Sequence, residues 1–178
     1  PCEAGELVAS NAREISGEAE AKGLELVVKV PADPIFVVAD AARIDQVLTN
    51  LLTNAARHTP QGSVGLELFP YDAGLGSLRF EITDTGPGID ADRIPTLFEP
   101  YTRFGGMTRK GDGAGLGLAV VRSVLRFLGG KVTVRSKRGQ GTAFCVEILA
   151  ELLDGDISAN AGPCSSRVLV VDDRAEVL

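Results

Sequence analysis

Asp84-Thr85-Gly86-Pro87-Gly88-Ile89-Asp90 is the stretch that decides the fold. It follows Leu78 to Ile82, an apolar run that alternates as a strand does. An acid stands at the strand's end, and two glycines and a proline then shape a tight loop. Glycine lets backbone approach a ligand where a Cβ would clash. A carboxylate held at such a loop suits an amine donor on a flat ligand. The same D-x-G-x-G pattern also describes an ordinary turn, so its meaning depends on what surrounds it.

Upstream, Asp40 to His58 reads as the strongest helix. Asp40 is placed to cap it, and Ile44, Val47, Leu48, Leu51, Leu52 and Ala55 make a continuous apolar stripe. Asn50, Asn54 and Arg57 share a neighbouring face, at spacings of four and three. Two amides there can ligate Mg²⁺ and bond phosphate oxygens, or form a solvated polar face. Mg²⁺ keeps several waters, so one protein oxygen suffices. Glu6 to Lys22 is a second helix, closed by Gly23. Strands are expected at Leu24–Val30, Ile35–Val38, Ser63–Phe69 and Ser77–Thr83.

Downstream, Asp90 to Leu97 suits a short helix. Phe98 to Phe104 is rich in aromatics, and Gly105 to Gly113 is glycine-rich and expected to be mobile. Gly113-Ala114-Gly115-Leu116-Gly117-Leu118 opens a helix from Ala114 to Leu128. Free N–H groups and the helix dipole favour an anion at such a start. A dinucleotide loop would need a strand just before it and an acid about 20 residues on, and neither is present. No G-K-[ST] follows, so a P-loop fails too. Gly117, Val120, Val121, Val124, Leu125 and Leu128 point inward, and Gly129-Gly130 caps the helix. Lys131–Ser136 and Thr142–Leu149 form a hairpin, with Arg135, Lys137 and Arg138 solvated. Residues 151–166 have the composition of a linker. Val168 to Val171 is a strand ending in Asp172-Asp173.

A chain of 178 residues with 44% hydrophobic residues supports one domain and a tail. A net charge of −6 argues against nucleic-acid binding. Cys2, Cys145 and Cys164 lack C-x-x-C spacing, and His58 is the only histidine. That speaks against zinc and a disulfide framework and favours reduced thiols in the cytoplasm. No apolar run reaches membrane-spanning length. A chain opening on Pro1 is expected to be a piece of a longer protein.

In order, N-L-L-T-N-A, D-T-G-P-G-I, L-F-E-P-Y and G-A-G-L-G-L resemble the N box, first glycine box, F box and second glycine box of sensor histidine kinases, in the superfamily shared with gyrase and the heat-shock chaperones. The resemblance covers nearly all of Pro1 to Leu149. It implies an α/β sandwich with helices on one face of a mixed, mostly antiparallel sheet. It implies ATP and Mg²⁺ as ligands and a histidine on another domain as phosphate acceptor. Asp84 would accept the adenine amine, with Gly86, Gly88 and Ile89 shaping the pocket. Asn54 would hold Mg²⁺, and Asn50 would support metal and phosphates. Arg57 and His58 would stand near the nucleotide. Phe98 would anchor the hinge of a lid over Gly105–Gly113, where Arg109 and Lys110 either reach phosphate or are solvated. Gly113, Gly115, Leu116 and Gly117 would admit the phosphates. Thr85 replaces a commoner Asn, and Ala114 a commoner Thr or Ser. No acceptor-histidine segment such as H-E-[LI]-[RK]-T-P occurs, so a dimerisation and histidine domain is expected upstream. V-L-V-V-D-D resembles the start of a receiver domain, which implies a hybrid kinase, a catalytic domain over 1–150 and a truncated receiver over 167–178. Two rivals stand beside this: an ATPase of the same superfamily, and a nucleotide-binding regulatory module without turnover. The ATPases usually carry a Glu where Asn50 stands, and an amide is no general base.

Overall fold

The computed structural model describes residues 1–100, 116–153 and 167–170. Its centre is a six-stranded sheet in the order β6-β7-β5-β4-β2-β9. The strands are β2 (Glu25–Val30), β4 (Ser63–Leu68), β5 (Ser77–Asp84), β6 (Lys131–Ser136), β7 (Thr142–Leu149) and β9 (Arg167–Val170). Only β2 and β4 run parallel; every other pair is antiparallel.

Alternation fixes which side of the sheet is covered. Val64, Leu66 and Leu68 of β4, Leu78, Phe80 and Ile82 of β5, and Phe144, Val146 and Ile148 of β7 are buried on one face. Helices α1 (Ala4–Lys22), α2 (Ala41–His58) and α3 (Gly117–Phe127) lie over that face. The other face carries charge in cross-strand pairs, such as Lys29 with Glu67 at 3.5 Å, Arg135 with Glu81 at 2.9 Å and Lys131 with Glu147 at 2.8 Å. This is the two-layer sandwich expected.

α2 forms where its stripe places it. Ile44, Val47, Leu48 and Leu51 are completely buried, and the Arg43 N–H donates to Asp40 Oδ1 at 3.2 Å. Several boundaries differ from expectation. α1 starts at Ala4, because Glu3 caps it: its carboxylate accepts from the N–H groups of Gly5 (2.8 Å) and Glu6 (2.6 Å). Glutamate ranks low as a cap, which hid this start. Ala91–Thr96 is a 3-10 helix containing Pro95, whose missing N–H and short reach suit no α-helix.

A second, three-stranded sheet was not foreseen. β1 (Cys2–Glu3) and β8 (Glu151–Leu152) flank β3 (Phe36–Val38). Strands of two residues are too short to alternate. Glu151 and Leu152 are therefore paired, where composition suggested linker. The strand expected near Val168 does form, as β9, but it lies antiparallel along β2, with Val27 opposite Val170 and Val30 opposite Arg167. The open edge of β2 offers unpaired backbone groups, and a valine-rich segment meets them.

Candidate functional site

Two clusters meet at the C-terminal end of α2. The first joins α2 to α3. Asn50 Nδ2 donates to Gln46 O at 2.7 Å, which leaves its carbonyl oxygen for other partners. A Cβ on Gly117, the first residue of α3, would lie 3.2 Å from Asn50 Oδ1 and 3.5 Å from Asn54 Nδ2. The helix start therefore sits against both amides, and a glycine keeps the gap open. Leu116 is apolar and provides no side-chain cap, and the N–H groups at a helix start suit an anion.

The second cluster surrounds Asp84. Its Oδ1 accepts from the Gly86 N–H at 2.8 Å. Directly opposite on β7 stands Thr142, whose backbone N–H and hydroxyl favour the charged form of the carboxylate. Burial raises the Asp84 pKa above the ordinary carboxylate value; the Gly86 and Thr142 bonds and the charge of His58 pull it back. Behind the loop, the Ile89 N–H donates to Ser136 Oγ at 2.8 Å, and Ser136 Oγ lies 3.0 Å from Thr142 Oγ1. Gly88 has φ 69°, and a Cβ there would overlap the Lys137 carbonyl. Gly141 has φ 85°, and a Cβ there would overlap the Asp84 carbonyl. The loop and the β6–β7 turn thus touch backbone to backbone.

Gly86 links the two clusters. Its Cβ would come 3.1 Å from the His58 carbonyl and 3.2 Å from Thr59 Oγ1. Thr59 is wholly buried and donates its hydroxyl proton to Ala55 O at 2.7 Å. The acidic loop therefore rests on the last turn of the amide-bearing helix. Arg57 and His58 are exposed at this end. Thr85 turns away to β4: the Ser63 N–H donates to its hydroxyl at 2.9 Å. Phe98 packs edge-on against Phe144, with ring centroids 6.5 Å apart. Gly113, Ala114, Gly115, Arg109 and Lys110, and the lid expected over Gly105–Gly113, lie outside the described residues, as does Cys164.

Thr59, Ser136 and Thr142 escaped sequence reasoning. The signal for Thr142 was the Gly139-Gln140-Gly141 turn before it, with both glycines at positive φ. A groove of about 150 Å³ on the open sheet face, lined by Val27, Lys29, Gly65, Glu67, Glu81 and Thr83, shares no residue with the site. Its charges are already paired, Lys29 with Glu67 and Glu81 with Arg135. Among the described residues no group of three or more His, Cys, Asp or Glu is placed to hold a metal. Asparagine oxygens fit Mg²⁺ only when a ligand's phosphates complete the shell.

The profile described as "Histidine kinase-, DNA gyrase B-, and HSP90-like ATPase" matches residues 39–153. The chain is 39% identical over 173 residues to the autoinducer 2 sensor kinase/phosphatase LuxQ of Vibrio parahaemolyticus, covering 86% of the chain and 20% of that protein. It is 35% identical over 178 residues to the virulence sensor protein BvgS of Bordetella bronchiseptica, covering 90% of the chain and 14% of that protein. The chain thus spans a fifth or less of these two relatives. Full-length ShkA, solved in complex with AMPPNP, superposes with a TM-score of 0.77 at 33% identity, over 87% of this chain and 32% of that one. The mycobacterial sensor histidine kinase MprB gives 0.68 at 27% identity, over 85% and 97%. With the profile running from the cap of α2 to the end of β8, this chain belongs to the histidine kinase-, DNA gyrase B- and HSP90-like ATPase family.

Proposed function

We propose that the chain binds ATP with Mg²⁺ and presents the γ-phosphate to a histidine on a separate dimerisation domain of a two-component sensor kinase. The observation that supports this best is the Gly117 contact. It sets two carboxamides and a helix N-terminus around one gap, while Gly86 ties that gap to a half-buried carboxylate. One end offers an acceptor for an exocyclic amine. The other offers amide oxygens and N–H donors for a phosphate chain.

Asp84 distinguishes adenine from guanine, because its carboxylate welcomes an amine and faces a guanine carbonyl acceptor against acceptor. Asn54 holds the metal and Asn50 supports it; Mg²⁺ when bound neutralises phosphate charge. Arg57 and His58 flank the nucleotide. Phosphoryl transfer depends on alignment and charge stabilisation more than on covalent help from the protein, which suits a site without a carboxylate base at position 50. That same amide disfavours the hydrolytic rival. On this proposal the chain works in the cytoplasm beside an upstream histidine domain and a downstream receiver. Among the described residues no helix is long and apolar enough to cross a membrane.

The test is incubation of the chain with γ-labelled ATP and a dimerisation–histidine domain from the same parent. Separation under alkaline conditions preserves phosphohistidine. Label on the added domain, lost in Asn54→Ala, is expected. A folded chain that binds Mg·ATP yet labels no histidine would favour the regulatory module.

A further inference from the structure

α1 lies wholly outside the matched residues 39–153, yet it grips α2 at two heights. Near its C-terminus, Lys22 Nζ donates to the carbonyls of Ala56 (2.8 Å) and Arg57 (3.3 Å). Near its N-terminal half, Asn11 is 1% exposed, among buried neighbours that are otherwise Ala4, Val8, Ala12, Ile15 and Ala19. Its Nδ2 donates to Leu7 O at 3.0 Å and to Asp45 Oδ1 at 2.6 Å. Its Oδ1 accepts from Thr49 Oγ1 at 2.9 Å.

Asp45 and Thr49 are four residues apart and share one face of α2. Gln46, Asn50 and Asn54 form the adjacent face, one residue or about 100° round the helix. Apolar packing alone permits a helix to roll or slide by fractions of an ångström, because dispersion contacts are non-directional. A buried amide bonded to two successive turns does not, since any roll leaves polar groups unpaired away from water. The Asn50 amide is tied to its own helix by the bond to Gln46 O, so it turns with α2 and carries its carbonyl oxygen with it.

We infer that Asn11 is a positioning residue for the phosphate end of the nucleotide site: through Asp45 and Thr49 it fixes the rotation of α2 and so the aim of Asn50 and Asn54. This rests on the nucleotide assignment proposed above. Asp84 belongs to a different element, and its loop meets α2 at His58 and Thr59, more than about two turns beyond Thr49, so the adenine end responds less to Asn11 than the amides do.

The full chain carrying Asn11→Leu, similar in size but without donors or acceptors, is titrated calorimetrically with Mg·ATP and separately with adenosine. Loss of one hydrogen bond to a charged group weakens binding by about tenfold or more. A loss of roughly tenfold is expected for Mg·ATP, with adenosine unchanged within about twofold. Asp45→Ala and Thr49→Val approach the same bonds from α2 and keep α1 intact, which guards against a variant that fails to fold. Each should weaken Mg·ATP in the same sense and add little on top of Asn11→Leu, as groups in one network do. Equal loss for both ligands, or undiminished Mg·ATP affinity in a folded Asn11→Leu chain, overturns the inference and leaves Asn11 a packing residue. A wild-type chain that binds Mg·ATP no better than adenosine overturns the phosphate-end assignment, and this inference with it.

Discussion

In the function proposed above, Asp84 concentrates the chemistry of the adenine end in one side chain. A hydrogen bond to a charged group contributes about 1.5–3 kcal/mol. Asp84→Ala should therefore weaken ATP by about tenfold to a hundredfold, at 1.4 kcal/mol per decade; unchanged calorimetric affinity in a folded variant would remove it from the site. Its pKa sets a pH signature. Burial raises the folded value above the ordinary carboxylate range, so the folded chain holds a proton that the unfolded chain has released. Stability contributed by this group is greatest in acid and falls as pH rises from the ordinary value to the raised one, then levels off. Ligand affinity runs the other way, since an amine donor needs the ionised carboxylate. Adenosine, which brings no phosphate titration of its own, should bind progressively more weakly as pH falls through the raised pKa, and a flat profile down to the ordinary carboxylate range would contradict this. Asp84 and its glycines were legible because an acid before two glycines breaks a strand's alternation. Thr142 was not, because a threonine in an alternating strand looks like any other buried position until its partner across the sheet is known.

At the scale of elements, the contact between α2 and α3 separates stability from binding. Gly117→Ala places a methyl 3.2 Å from Asn50 Oδ1 and relieves a helix of a glycine worth up to ~1 kcal/mol against alanine. The expected pair of results is a melting temperature equal to or above wild type with weaker Mg·ATP binding. An unchanged affinity would mean that the gap is not where phosphates enter. The long elements were readable, since α2 repeats its apolar stripe over several turns and β5 and β7 alternate over eight residues each. β1 and β8 were not, because each is shorter than the period that would reveal it; the short helix expected over Asp90–Leu97 does form, as the 3-10 helix Ala91–Thr96. The start of α1 was hidden for another reason: its cap is a glutamate with two bonds, a geometry that composition does not announce.

Over the whole molecule, a site with both ends assembled still lacks an acceptor. His58 is the only histidine, and its backbone carbonyl lies beside Gly86 at the end of α2; in the binding mode proposed above its ring would flank the nucleotide rather than stand in line with the γ-phosphate. Incubation of the chain alone with γ-labelled ATP should leave it unlabelled and release phosphate slowly, and a phosphohistidine at His58 would overturn both the placement and the role given to Asn50. Fold class was legible from the pattern of elements, but strand order was not. The pairing of β2 with β4 in parallel, and the position of β9 along β2, depend on partners distant in the chain, which local periodicity cannot report. The insertion of β7 between β5 and β6 bears on the protein's birth. As the chain leaves the ribosome, β5 and its loop appear long before Thr142, so the nascent domain shows a bare strand edge and a carboxylate without its far wall. Non-local pairings of this kind form late and leave such edges open meanwhile. In the function proposed above, a polypeptide released before β7 has only one wall of the Asp84 pocket, so nucleotide would stabilise the domain only once β7 has been made.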